Sequence, residues 1–149
     1  MSTQDLQWLL VRKSNSFLVK QKGLGRVFSR EPGNLAAFHS YKHSGLVNDK
    51  SVGIVPAENR GVIVTTRKQK TSPRAIRGAR ASTTIKGGSR RVAGAVANVA
   101  AKHGYRADLR KDAVARATAI VNSQVRKQRV PRTRAPRGAA ARKLAAEQA

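Results

Sequence analysis

The large apolar side chains of this chain are concentrated between Leu6 and Thr66, and they come in short runs. Each run is β-branched or aromatic and is bounded by Gly, Asn, Ser or Pro, the pattern of strands joined by turns. Leu6, Trp8 and Leu10 alternate with Leu9 and Val11, which predicts a strand over Leu6–Arg12 with Trp8 inward. Lys13 to Ser16 predicts a polar turn with Asn15 in its left-handed position. Phe17–Lys20 and Arg26–Ser29 predict two more short strands, joined by a tip where Gly23 and Gly25 flank Leu24. Leu35 to Phe38 predicts one helical turn laid on the sheet. Ser51–Val55 and Val62–Thr66 flank Pro56-Ala57-Glu58-Asn59-Arg60-Gly61 and predict a hairpin. In it Val62, Val64 and Thr66 face one way, Ile63 and Thr65 the other. No run reaches the length of a membrane span.

Such a sheet needs a cover for its apolar face. Arg90–Lys102 places Val92, Val96 and Val99 at helical spacing, with Ser89 in position to cap. Gly94 inside it costs about 1 kcal/mol relative to Ala, which a close helix–sheet contact would explain. His103-Gly104 ends this helix, and Tyr105 to Asp108 starts the next. Its stripe is Leu109, Ala113, Ala117, Ile120 and Val121, closed by Val125. Asp108 and Asp112 sit near the positive helix end, and Arg110, Lys111 and Arg116 lie off the stripe. The expected fold class is α+β: a small, mainly antiparallel sheet packed by C-terminal helices, with basic extended arms. The expected organisation is a sheet-forming core over 1–66 and a basic loop or arm over 67–88. Two helices over 89–127 complete the same domain, and 128–149 is an Arg/Pro/Ala-rich tail in which Arg142–Ala149 has the propensity for a short helix.

The charge is uneven. The 149 residues hold 31 Lys and Arg against 7 Asp and Glu, a formal charge of +24. Residues 1–59 carry eight basic and four acidic side chains, 60–106 twelve and none, 107–149 eleven and three. So much like charge repels itself, and a polyanion, most commonly nucleic acid, relieves it. Arg67 to Lys86 sets its cations among Gly, Ser, Thr, Ala and Pro, with little to bury, and reads as an arm that orders on its partner or as a solvated linker doubling as an import signal. The helical cations read as a solvated back and as a phosphate-facing one at once. Tyr41 and His43 read either as stacking or phosphate-facing residues or as ordinary surface loop. The candidate nucleic-acid contacts are Arg12, Lys20, Tyr41, Lys42, His43, Arg67, Lys68, Lys70, Arg74, Arg77, Arg80, Lys86, Arg90, Arg91, Arg106, Arg110, Lys111, Arg116, Arg126, Lys127, Arg129, Arg132, Arg134 and Arg137.

Other chemistries lack their residues. There is no Cys, so disulfides, thiol catalysis and cysteine zinc sites are excluded. His39 and His43 are four apart, but no carboxylate stands beside them in sequence, and Ser40, Ser44 and Gly45 oppose a long helix. Gly23 and Gly25 lack the third glycine and the helix of a dinucleotide loop. There is no phosphate-binding Walker loop and no convergent nucleophile and base. No catalysis, metal, cofactor, small-molecule substrate, membrane attachment or homo-oligomer is expected. Asp5 and the lack of a long apolar stretch behind a charged start argue against a secretory signal.

Several short segments resemble one family in order. They are Leu6-Gln7-Trp8 with Val11-Arg12, Ser16-Phe17-Leu18 with Lys20, Glu31-Pro32 with Asn34-Leu35, Ser40-Tyr41 with Gly45-Leu46, and Val52-Gly53. Thr83-Thr84-Ile85, Tyr105-Arg106, Asp108-Leu109-Arg110, Ala117 with Ala119-Ile120, and Ser123-Gln124 follow. Together they resemble the eukaryotic large-subunit ribosomal protein twenty-eight family. The resemblance implies a structural protein of the cytosolic large subunit, without catalysis or cofactor, that passes through the nucleus or nucleolus during assembly. Its implied partners are large-subunit ribosomal RNA and neighbouring ribosomal proteins. Ala107 stands where the family often has proline, Gly78, Gly87 and Gly88 interrupt a segment that is Lys-rich in the family, and the C-terminal arm is longer and richer in alanine. Two other readings stay open on the residues: an assembly factor with a related domain, and a DNA-compacting protein.

Overall fold

Strands β3 (Val52–Pro56) and β4 (Val62–Arg67) form the hairpin that carries the core. They pair antiparallel, Val52 opposite Thr66 and Ile54 opposite Val64. The computed structural model describes residues 3–72, 75, 77–125 and 137–148. Alternation places Val52, Ile54, Val62 and Val64 on one face, each fully buried. The turn needs Gly61: its φ is +99°, and a Cβ there would run into the Ile85 carbonyl.

Two helices cover that face. Helix α2 (Ser89–Ala101) buries Val92, Val96 and Ala100, and α3 (Arg110–Gln124) buries Ala113, Ala117 and Val121, with Leu109 just before it. The alanines let α3 approach both α2 and the hairpin closely. Each buried Val or Ile contributes about 1.5–3 kcal/mol relative to an exposed one. A 3-10 turn at Lys102–Gly104 ends α2 and another at Ala107–Leu109 leads into α3. The far end of α3 is fastened to the hairpin turn: Gly61 N–H donates to Gln124 Oε1 at 2.8 Å, and Gln124 Nε2 donates to the Gly61 carbonyl at 2.9 Å.

Before the hairpin lie helix α1 (Thr3–Val11) and a separate small sheet, β1 (Leu18–Val19) antiparallel to β2 (Phe28–Ser29). Glu31 anchors this part. Its buried carboxylate accepts bonds from Ser44 Oγ at 2.9 Å, Gly45 N–H at 3.2 Å and Asn15 Nδ2 at 3.2 Å. These neutral donors replace the water that burial removes.

The α+β class stands, but several local expectations do not. Leu6–Arg12 is helix α1 rather than a strand. No neighbouring strand is paired with it, and its Leu and Gln are good helix formers. Trp8 is half-buried against two rings instead of lying in a core. The expected single sheet is two. Asn15 is not left-handed; its Oδ1 accepts the Phe17 N–H at 2.9 Å, which makes the turn with its side chain instead.

Leu35–Phe38 forms no helical turn. Ala37 takes φ +57°, and Phe38 bridges to Phe28 with their rings 5.5 Å apart. Part of the segment 67–88, expected as a basic loop or arm, is strand: Arg67 ends β4, and β5 (Arg80–Ile85) pairs with β4 along its whole length. Ser and Thr can satisfy a ladder at a sheet edge without burying much, so low apolarity did not preclude a strand. Ser89 is the first residue of α2 rather than its cap; Gly88 stands there with no side-chain bond. Gly94 is exposed, with nothing within 4 Å of where its Cβ would be, so no close contact explains it. Val125 is 43% exposed and does not close the stripe. The terminal helix α4 spans Ala139–Glu147, starting earlier than its composition suggested. The proline-containing stretch before it, up to 136, lies outside the described residues. No helix among the described residues is long and apolar enough to cross a membrane.

Candidate nucleic-acid interface

The three-stranded sheet β3-β4-β5 has two unlike faces. The helices cover the valine face. The opposite face carries Gly53, Val55, Ile63, Thr65, Ser82 and Thr84, and ends in Arg67 and Arg80, which stand directly opposite each other across β4 and β5. Like charges in that relation are unfavourable unless something between or beside them is negative. Thr65 and Ser82 hydroxyls lie 3.4 Å apart across the same pair of strands. A cleft of about 300 Å³ opens at this end, lined by Arg30, Glu31, Asn34, Thr65, Arg67, Arg80 and Arg116 among others. Small polar side chains framed by guanidinium groups let a phosphodiester backbone come close.

A second cationic place lies at the start of α2. Gly87, Gly88 and Ser89 line a crevice with Arg60 and Lys86, and Arg90 and Arg91 follow in the exposed first turn. Without a side-chain cap, the first amides of α2 add partial positive charge there.

The candidate cations fall into three groups. Arg12, Lys20, Lys42, Lys68, Lys70, Arg77, Arg80, Lys86, Arg90, Arg91, Arg110, Lys111 and Arg137 are exposed. Arg67, Arg106 and Arg116 are half-buried and bound to backbone carbonyls. Arg67 donates to Leu46 at 3.3 Å and Asn48 at 3.1 Å. Arg116 donates to Ile54 at 2.9 Å and Leu35 at 3.0 Å. Arg106 donates to Lys50 and Lys42, both at 2.8 Å, and pairs with Asp108 at 2.9 Å. Their first role is to tie loops to the core. Arg74, Arg126, Lys127, Arg129, Arg132 and Arg134 lie outside the described residues.

The aromatic candidates are also engaged inside the protein. Tyr41 donates its hydroxyl to Asp5 at 2.8 Å, and its ring lies 5.7 Å from that of Trp8. That bond to a carboxylate raises the Tyr41 pKa above its ordinary value. His43 is bonded to Ser40 at 2.8 Å and lies 3.1 Å from Asp112 on α3. His39 meets the Arg12 carbonyl at 2.8 Å. Among the described residues no group of three or more His, Cys, Asp or Glu could hold a metal ion.

Sequence reasoning missed Arg30 and Arg60. Each is a single cation in an otherwise ordinary turn, and only the fold brings Arg30 to the sheet face and Arg60 to the start of α2. Five of the seven carboxylates, by contrast, are bonded internally: Asp5 by Tyr41, Glu31 by Ser44 and Gly45, Asp49 by Gln4, Asp108 by Arg106 and Asp112 by His43. Glu31 lines the cleft itself, where that one carboxylate faces Arg30, Arg67, Arg80 and Arg116.

Residues 6–123 match the model of the ribosomal L28e protein family. A protein of Schizosaccharomyces pombe named large ribosomal subunit protein eL28 is 37% identical over 124 residues, covering 82% of this chain and 92% of the relative. The protein of the same name from Caenorhabditis elegans is 38% identical over 128 residues, covering 86% and 95%.

Proposed function

Because the chain belongs to the ribosomal L28e protein family, we propose that it is a structural constituent of the large subunit of the eukaryotic cytosolic ribosome and that it binds and stabilises ribosomal RNA. The observation that carries the RNA part is the division of charge. Internal partners take up most of the carboxylates, while Arg30, Arg80, Lys86, Arg90 and Arg91 stay exposed along the open sheet face and the start of α2. The RNA backbone would lie across that face, with Thr65, Ser82 and Thr84 near enough to bond to phosphate or ribose oxygens. Arg110 and Lys111 on α3 and the cations beyond residue 125 would hold further RNA segments. Neighbouring large-subunit proteins complete the setting. The role is structural and needs no catalytic group.

The test is sedimentation of a tagged full-length chain through a sucrose gradient of a eukaryotic lysate under translating conditions. The chain is expected in large subunits and in polysomes. Its confinement to nuclear precursor particles would favour an assembly role instead, and its absence from ribosomal fractions would overturn the reading.

A further inference from the structure

Helix α1 is set on the 39–49 loop by its polar side and by Trp8. Asp5 accepts the Tyr41 hydroxyl, Gln4 donates to Asp49, Trp8 lies 4.9 Å from the His39 ring, and His39 meets the Arg12 carbonyl. Those four contacts fix the rotation of the helix about its own axis. They leave Leu6, Leu9 and Leu10 pointing away from the body, 56%, 56% and 70% exposed. The three are at positions i, i+3 and i+4, so they form one stripe. An ordinary surface helix turns such a stripe to its own core. Here the stripe is held outward by specific bonds.

The charge around the stripe selects what can cover it. In a chain of +24, α1 has no Lys or Arg and carries Asp5, and Asp49 lies at its start; Arg12 and Lys13 come only after the helix ends. A polyanion gains nothing from leucines beside carboxylates. A basic protein with an apolar groove fits both the leucines and the two carboxylates, in the manner of a helix laid in a groove by i, i+3 and i+4 anchors.

We propose that the Leu6–Leu9–Leu10 face of α1 is a docking surface for a neighbouring basic protein of the large subunit, and that the chain meets protein there and RNA on the open sheet face. The inference rests on the ribosomal reading above, and the two can fail separately.

The experiment places a photo-crosslinking phenylalanine analogue in the tagged full-length chain, at Leu10 in one variant and at Thr84 in another. Each is assembled into large subunits in cells, irradiated and treated with nuclease or protease. The Thr84 variant tests the RNA reading and is expected to give nuclease-sensitive adducts. The Leu10 variant is expected to give an adduct with another large-subunit protein, identified by mass spectrometry. An adduct of Leu10 with RNA or with a second copy of this chain overturns the proposal, as does no adduct from a chain that is present in the subunits. In parallel, L6E/L10E is expected to melt as the wild type does and to bind isolated ribosomal RNA equally, yet to compete about tenfold less well for incorporation into subunits. Equal incorporation overturns the proposal.

Discussion

Tyr105 holds Arg67 by both of its main-chain polar groups: the hydroxyl accepts the Arg67 N–H at 3.0 Å and lies 2.7 Å from the Arg67 carbonyl. The same oxygen is 3.2 Å from the Ser51 carbonyl, so one phenol closes the open ends of β3 and β4. Burial, the largest effect, raises the Tyr105 pKa, with its backbone bonds acting the other way. The proton that makes these bonds therefore stays in place through the neutral range.

Tyr105→Phe is expected to destabilise the fold by about 1–3 kcal/mol, because it takes the hydroxyl donor from the Arg67 carbonyl while keeping the ring; the Arg67 N–H keeps its bond to the Ser51 carbonyl at 3.1 Å. Urea melts of the two proteins measure this directly. A difference near zero would mean that water replaces the hydroxyl at no cost.

Arg116→Met should separate a structural arginine from an RNA-binding one. It removes bonds to Ile54 and Leu35 that join α3 to β3 and to the loop before it. A stability loss of about 2–3 kcal/mol is expected, with ribosomal RNA affinity unchanged when measured well below the melting temperature. A large affinity loss in a fully folded variant would make Arg116 a direct contact.

Trp8→Ala is expected to cost about 1–2 kcal/mol, less than the roughly 3–5 kcal/mol of a large aromatic residue removed from a core. Trp8 packs on His39 and Tyr41 at the edge of the molecule. Denaturant melts followed by circular dichroism give the value. Complete unfolding would show that α1 is part of the cooperative core.

Acid should act in part through Asp108. The Arg106 guanidinium bonds to its carboxyl and holds the pKa below the ordinary 3.8. A carboxyl whose folded pKa is depressed contributes stability that is fully present above the unfolded value. That contribution is lost as pH falls through the lower folded value. Asp108→Asn is therefore expected to lose part of the decline in stability below about pH 4. Melting temperatures taken from pH 7 to pH 2.5 test it. Parallel curves for the two proteins would place the effect on other carboxyls.

The elements that could be read in the sequence are those whose local pattern and tertiary role agree. Val62 and Val64 alternate toward the core, and Pro56 and Gly61 bound their turn, so the β3–β4 hairpin was plain. Val92, Val96, Ala113, Ala117 and Val121 likewise repeat at helical spacing. Leu6 to Val11 satisfied two periods at once, since Leu6, Trp8 and Leu10 alternate while Leu6, Leu9 and Leu10 form a helical stripe. The apolar face of this helix also points outward, which no pattern of burial predicts. β5 was hidden because Arg80–Ile85 is held by its ladder to β4 more than by apolar burial. For the candidate interface, the cation excess is largest over residues 60–106, with twelve basic side chains and no acidic one. It did not separate Arg80, which is exposed, from Arg67, Arg106 and Arg116, whose guanidinium groups reach carbonyls distant in sequence.

Under the proposed function a particular face, rather than net charge alone, meets the RNA. Two double variants test it most directly: Arg30→Gln with Arg80→Gln in the cleft, and Lys13→Gln with Lys22→Gln away from it. Each removes two positive charges from the same +24. Affinity for isolated large-subunit RNA is measured across a range of salt concentrations. If about six phosphates are met, the wild-type log–log slope is roughly −4 to −5. The cleft variant is expected to flatten that slope by about 1.4–1.8, the share of two phosphates, and the control pair to leave it unchanged. Equal changes in both variants would show that the RNA reads only total charge, and would contradict the sheet-face interface.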